Sequence, residues 1–167
     1  MNSDVMKYAL RFVGIVLLQV LILNNIGFLG FINPYLYVYF LLILPSSVGK
    51  DATLLIGFLL GITVDIFCGT LGCHAFASTV VAYLKPYLQK LFGPREDYEA
   101  IIPSIRTFGM TPFMQYAFFL VIVHHFVFFL LEAFTFVTFF KTLLNVVCCS
   151  SFTILLIYII ERLKVRR

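Results

Sequence analysis

Tryptophan is absent from this chain of 167 residues, and only 12% of the residues are charged. A water-soluble domain carries about twice that share of charge. A soluble fold is therefore excluded. The longest polar stretch, 93–106, is too short to hold a core of its own. The four cysteines (Cys68, Cys73, Cys148 and Cys149) form no CxxC pair, so no zinc signature is present. No nucleophile stands with a base, and no phosphate-binding glycine loop or paired catalytic acid is found. The chain therefore names no catalytic residue, no metal ligand set and no cofactor. Its 12 basic residues outnumber its 8 acidic ones, but they form no patch for nucleic acid.

What the chain does have is apolar length. Hydrophobic residues make up 62% of it, and the mean hydropathy is +1.03. A hydrocarbon core takes about 20 apolar residues to cross. The runs fall at 8–23, 34–48, 52–67, 72–91, 112–131 and 139–160, with a polar loop at 92–111. They predict one all-α membrane domain over 1–167 with six transmembrane helices. The second and third runs are short for a full crossing. Pro86 either kinks the fourth run or ends it near Leu84.

Basic residues test the count of spans. With the N-terminus in the cytoplasm, Lys7, Arg11, Lys50, Lys85, Lys90, Arg95, Arg106, Arg162, Lys164, Arg166 and Arg167 all fall on that side. Only Lys141 falls outside. The outer loops at 24–33 and 69–72 carry no charge. This pattern predicts six spans with both termini cytoplasmic. Tyr35, Tyr83, Tyr87 and Tyr158 lie near run ends and are expected at the membrane interfaces. The cytoplasmic loop carries Arg95, Glu96, Asp97, Glu99 and Arg106, and reads as a solvated connector or a partner site.

Four residues recur every four positions in the third run: Gly57, Gly61, Asp65 and Gly69, with Gly72 following. Each step of four drifts only about 40° around a helix. Glycines on one face let another helix approach closely. A carboxylate in the same stripe is costly in lipid and must face protein, water or a partner. Internal packing and a partner interface look alike at this level. Asp65 reads as a partner anchor, a cap for the turn at Cys68-Gly69, or a solvated carboxylate.

Other polar residues are few. Gln19 is placed to bond a neighbouring helix, and Asn33-Pro34 is a capped helix start. An Asp65–His74 hydrogen bond across the short hairpin is expected. His124 and His125 point about 100° apart on a helix and suit interhelical hydrogen bonds better than a metal. Cys68 and Cys73 flank a short loop and would pair only in an oxidising compartment.

Gln19 followed by Leu-Ile-Leu-Asn24, then Asn33-Pro34, then Gly57-Phe-Leu-Leu-Gly61-Ile-Thr-Val-Asp65, and Gly72 opening the next run together resemble MreD, the bacterial rod shape-determining membrane protein family. The resemblance is specific from Gln19 to Tyr83, and rests on hydropathy beyond that. It implies a bundle similar to the substrate-binding (S-component) subunits of energy-coupling-factor vitamin transporters. It also implies a non-catalytic scaffold in the inner membrane that works with MreC, MreB, RodA and a penicillin-binding transpeptidase to place peptidoglycan synthesis. Asn33, Pro34, Gly57, Gly61, Asp65 and Gly72 are the matching family positions. His74 and the phenylalanine-rich last third depart from the pattern. The alternative is a vitamin-transporter subunit, whose pocket would draw on Asn24, Asn25, Asn33, Asp65, His74 and Glu132.

Overall fold

The computed structural model describes residues 3–26 (side chains from residue 6), 33–94, 101–134 and 139–166. Residues 27–32 of the expected outer loop lie outside the described residues, as do Arg95, Glu96, Asp97 and Glu99 of the expected cytoplasmic loop. The described residues are all-helical in class, with 83% of them in helix and none in a strand.

Helix α1 (Ser3–Leu17) continues as a π-helical stretch (Leu18–Leu23) and a final turn, α2 (Asn24–Ile26). α3 (Val38–Leu42) is short. α4 (Lys50–Cys68) and α5 (Cys73–Phe92) form a hairpin. α6 (Ile105–Phe108) leads into α7 (Met110–Ala133), and α8 (Phe139–Arg166) ends the chain. Among the described residues, four segments are long and apolar enough to cross a membrane: Met6–Ile26, Lys50–Cys68, Met110–Ala133 and Phe139–Arg166. The chain is a membrane protein.

The helix limits have local causes. Gly69 closes α4 in the left-handed conformation (φ 68°), which glycine adopts without steric cost. Pro112 sits in the first turn of α7, where its missing N–H leaves no bond unmade. Pro86 does not end α5, which runs on through it to Phe92. α5 packs between α4 and α7, and α7 packs on α8. The first helix leans against α3 and α4.

The run expected as a second span behaves differently. It is helical only over Val38–Leu42, and all of 34–44 is buried. Non-helical backbone survives at membrane depth only where protein satisfies its polar groups. Here distant side chains do so. The Tyr35 N–H donates to Thr153 Oγ1 (3.1 Å), and the Tyr37 N–H donates to Gln19 Oε1 (3.2 Å). The Pro34 carbonyl accepts from Gln19 Nε2 (3.0 Å), and the Leu42 carbonyl accepts from the Tyr116 hydroxyl (3.0 Å). Tyr35 is therefore a core residue rather than an interfacial one. Tyr83 and Tyr87 are exposed, and their rings meet at a tilt with centroids 5.6 Å apart.

Candidate functional site

The glycine stripe packs inside the chain. A Cβ on Gly61 would lie 2.4 Å from both the His74 carbonyl oxygen and the Ala75 Cα. A Cβ on Gly57 would lie 2.8 Å from the Ala82 Cβ and 3.0 Å from the Ser78 carbonyl oxygen. The α4 and α5 backbones thus touch along a face with no room for a side chain on α4. α5 answers with small residues, Ala75, Ser78 and Ala82. Gly69 and Gly72 are not part of this face. α4 has ended by then, and both glycines have positive φ (68° and 85°), which makes the tight turn.

Asp65 completes the stripe and is only 3% exposed. Its carbonyl accepts the N–H groups of Gly69 and Thr70, closing α4. Its carboxylate accepts the Thr70 hydroxyl (2.5 Å), the His74 N–H (3.1 Å) and the Ala75 N–H (2.8 Å). The first N–H groups of a helix have no intrahelical partner, and negative charge is favoured there. One residue on α4 therefore caps both its own helix and the start of α5. The Asp65–His74 bond expected across the hairpin is present, and it is made by the backbone N–H of His74.

The His74 ring turns instead to the broken segment. Tyr37 Oη lies 2.9 Å from His74 Nδ1 and 2.5 Å from His124 Nε2. A phenol has one proton, so it donates to one ring and accepts from the other. His124 Nδ1 is buried without a partner. A bare lone pair there costs less than an orphaned N–H. This assigns the proton on His124 to Nε2, which donates to Tyr37, and Tyr37 donates to His74. On the neighbouring face, His125 Nδ1 donates to the Val121 carbonyl (2.8 Å), and His125 Nε2 faces Thr153 Oγ1 (3.3 Å). Phe128 stacks on His74 at 4.2 Å, and the Tyr35 ring packs against His74, His125 and Phe128. Rings fill the space between α5, α7 and α8 at this level.

Gln19 ties the first helix into the same cluster. Besides Pro34 and Tyr37, its amide donates to Asn24 Oδ1 (2.8 Å), and Asn24 Nδ2 donates to Cys68 Sγ (3.0 Å). Gln19 lies in the π-helical stretch, a local widening frequent at functional positions. Gln19→Leu would strand a buried carbonyl and a buried N–H, at about 1–3 kcal/mol each. It is expected to lower the melting temperature in detergent, followed by circular dichroism at 222 nm, since the chain lacks tryptophan. An unchanged melting curve would contradict the bracing role.

A second polar cluster sits near the chain termini. Glu161 is 1% exposed and accepts from the Ile105 N–H (2.9 Å), from the Tyr39 hydroxyl and from Lys164 Nζ (3.2 Å). Lys164 also donates to Tyr39 Oη. Arg106 donates to the Lys164 carbonyl (2.5 Å) and the Val165 carbonyl (3.1 Å). Glu161→Leu is expected to unlock α6 from α8, read as faster trypsin cleavage at Arg106; cleavage at the wild-type rate would contradict it.

No family model, curated protein or solved structure matches the chain. The site rests on its geometry alone. That geometry brings together Gln19, Pro34, Gly57, Gly61, Asp65 and His74 in one bracket around α5 and the broken segment. The Asn33 side-chain oxygen is buried without a partner and does not join the network. Tyr37, Thr153 and Glu161 were not singled out from the sequence, and Tyr35 was expected at a membrane interface instead. The alternation of Tyr35, Tyr37 and Tyr39 was the available signal for the first two, since alternation speaks against a helix.

Proposed function

We propose that the protein is a non-catalytic scaffold of the MreD type in the bacterial inner membrane, with both termini cytoplasmic. In this reading it holds MreC beside MreB, RodA and a transpeptidase, and so directs where peptidoglycan is made. The observation that carries the non-catalytic part is how the buried polar side chains are used. Asp65, Gln19, Thr153 and Glu161 each spend their oxygens on backbone N–H groups of other elements. Side-chain oxygens committed to backbone in this way brace a bundle. The six-span arrangement adds α5 and the buried 34–44 segment to the four long apolar helices. The crowding of basic residues at the end bearing the termini supports the orientation. With the glycine stripe turned inward, partner contacts fall on the exposed faces of α1, α7 and α8.

Depletion in the native cell tests this reading. It predicts wider or rounded cells, with fluorescent D-amino acid label spread over the surface. Unchanged width and label would contradict it.

A second reading has one observation in its favour. A cleft of about 530 Å³ opens beside the α4–α5 turn, lined by Thr70, Cys73, Phe76, Leu131 and Glu132 among others. A transporter substrate-binding subunit would use such a mouth for a vitamin-sized ligand. A vitamin co-purifying with the protein would favour that reading.

A further inference from the structure

A groove of about 360 Å³ runs between α1, α3 and α4, outside the polar bracket. Tyr8, Ala9 and Phe12 form one wall, Phe40, Leu44 and Val48 the floor, and Ile56 and Leu59 the other wall. No polar surface lines it. Each helical wall is about one turn long, roughly 5.4 Å. That is too short to seat a crossing helix, whose body is about 10 Å wide, but it suits a slender hydrocarbon chain. The groove lies beside the second and third turns of α4 and the middle of α1, on the side of the bundle where the basic residues gather.

Charge supplies the second half of the argument. Arg11 is exposed and folds back so that its guanidinium lies 5.3 Å over the Tyr8 ring, on the wall of the groove. A long basic side chain placed this way lays its stem on apolar surface and holds its head toward the headgroup region. A guanidinium there matches a phosphate oxygen pair better than an ammonium does. Asp51 is also exposed at this end, one residue beyond Lys50. Lys50 itself turns away, its Nζ lying 5.3 Å over the Tyr87 ring.

We propose that this groove holds one acyl chain of an anionic phospholipid, with Arg11 receiving its phosphate. The site is independent of the scaffold reading, so either can fail without the other. The full-length protein in mild detergent is mixed with equal amounts of phosphatidylglycerol and phosphatidylcholine, and bound lipid is weighed by native mass spectrometry. Wild type is expected to retain phosphatidylglycerol preferentially. Arg11→Gln should lower that preference about fivefold, the share of one cation near a membrane surface. Ala9→Trp should fill the groove and expel both lipids. Leu155→Trp, on the exposed face of α8, should change neither. Equal retention of the two lipids by wild type would overturn the proposal. So would full retention by Ala9→Trp, or a dimer mass that added lipid does not dissociate.

Discussion

Gly61→Leu is expected to lower the melting temperature and the folded fraction recovered, whereas Gly14→Leu is expected to lower neither. Both glycines lie in helices of a membrane protein, and composition does not separate them. The packing does. At Gly61 even a single Cβ would collide at 2.4 Å with the backbone of α5, and backbone cannot swing aside as a side-chain tip can. The two helices would have to part along the hairpin, losing the Gly57–Ala82 contact and the Asp65 cap together. Overpacking a tight core costs about 1–3 kcal/mol and occasionally more, and this site lies at the upper end. A loss of about 3 kcal/mol corresponds to roughly 6–12 °C in melting temperature for a chain of this size. At Gly14 nothing lies within 4 Å of the added Cβ, and the residue is exposed. Leucine there gains helix propensity over glycine by about 1 kcal/mol or slightly less. The monodisperse fraction on detergent gel filtration reads both variants in one experiment. Recovery of folded Gly61→Leu at the wild-type level would contradict the close approach of α4 and α5.

Asp65→Ala is expected to cost about 2–4 kcal/mol, with Asp65→Asn in between. Removing the carboxylate strands the N–H groups of His74 and Ala75 at the buried start of α5. A lost helix cap costs about 0.5–2 kcal/mol, and a buried orphaned donor about 1–3 kcal/mol. Asparagine restores one acceptor but offers an NH2 where the carboxylate accepted a second bond, so it recovers only part. The series also decides between bracket and partner anchor. A bracket loses stability in the order wild type, Asn, Ala. An anchor would keep its melting temperature in all three and lose partner binding instead. Thermal unfolding at 222 nm in detergent checks the order, and equal melting temperatures across the series would contradict the capping account.

Much of the fold was legible because lipid imposes simple rules. Long apolar runs had to be helices, and Lys50–Cys68, Met110–Ala133 and Phe139–Arg166 are helices for that reason. Glycines spaced by four marked a close helix contact, and Gly57 and Gly61 make one. What local pattern left open was which surface they meet. The answer lies in Ala75, Ser78 and Ala82, small residues spaced along α5. The second run misled for a different reason. Asn33-Pro34 reads as a cap followed by a first helical turn, yet the chain stays non-helical until the turn at Leu36–Tyr37. Its amides are satisfied by Gln19 and by Thr153, which is 118 residues away from Tyr35. No nearby residue records that arrangement. The same distance hid Tyr37, whose partners lie on two other helices.

The most direct test of the scaffold account is capture of the tagged protein from its native membrane, followed by mass spectrometry of what accompanies it. The account predicts MreC together with RodA and a penicillin-binding transpeptidase. Recovery of an energy-coupling module or a bound vitamin, with no cell-elongation protein, would contradict it.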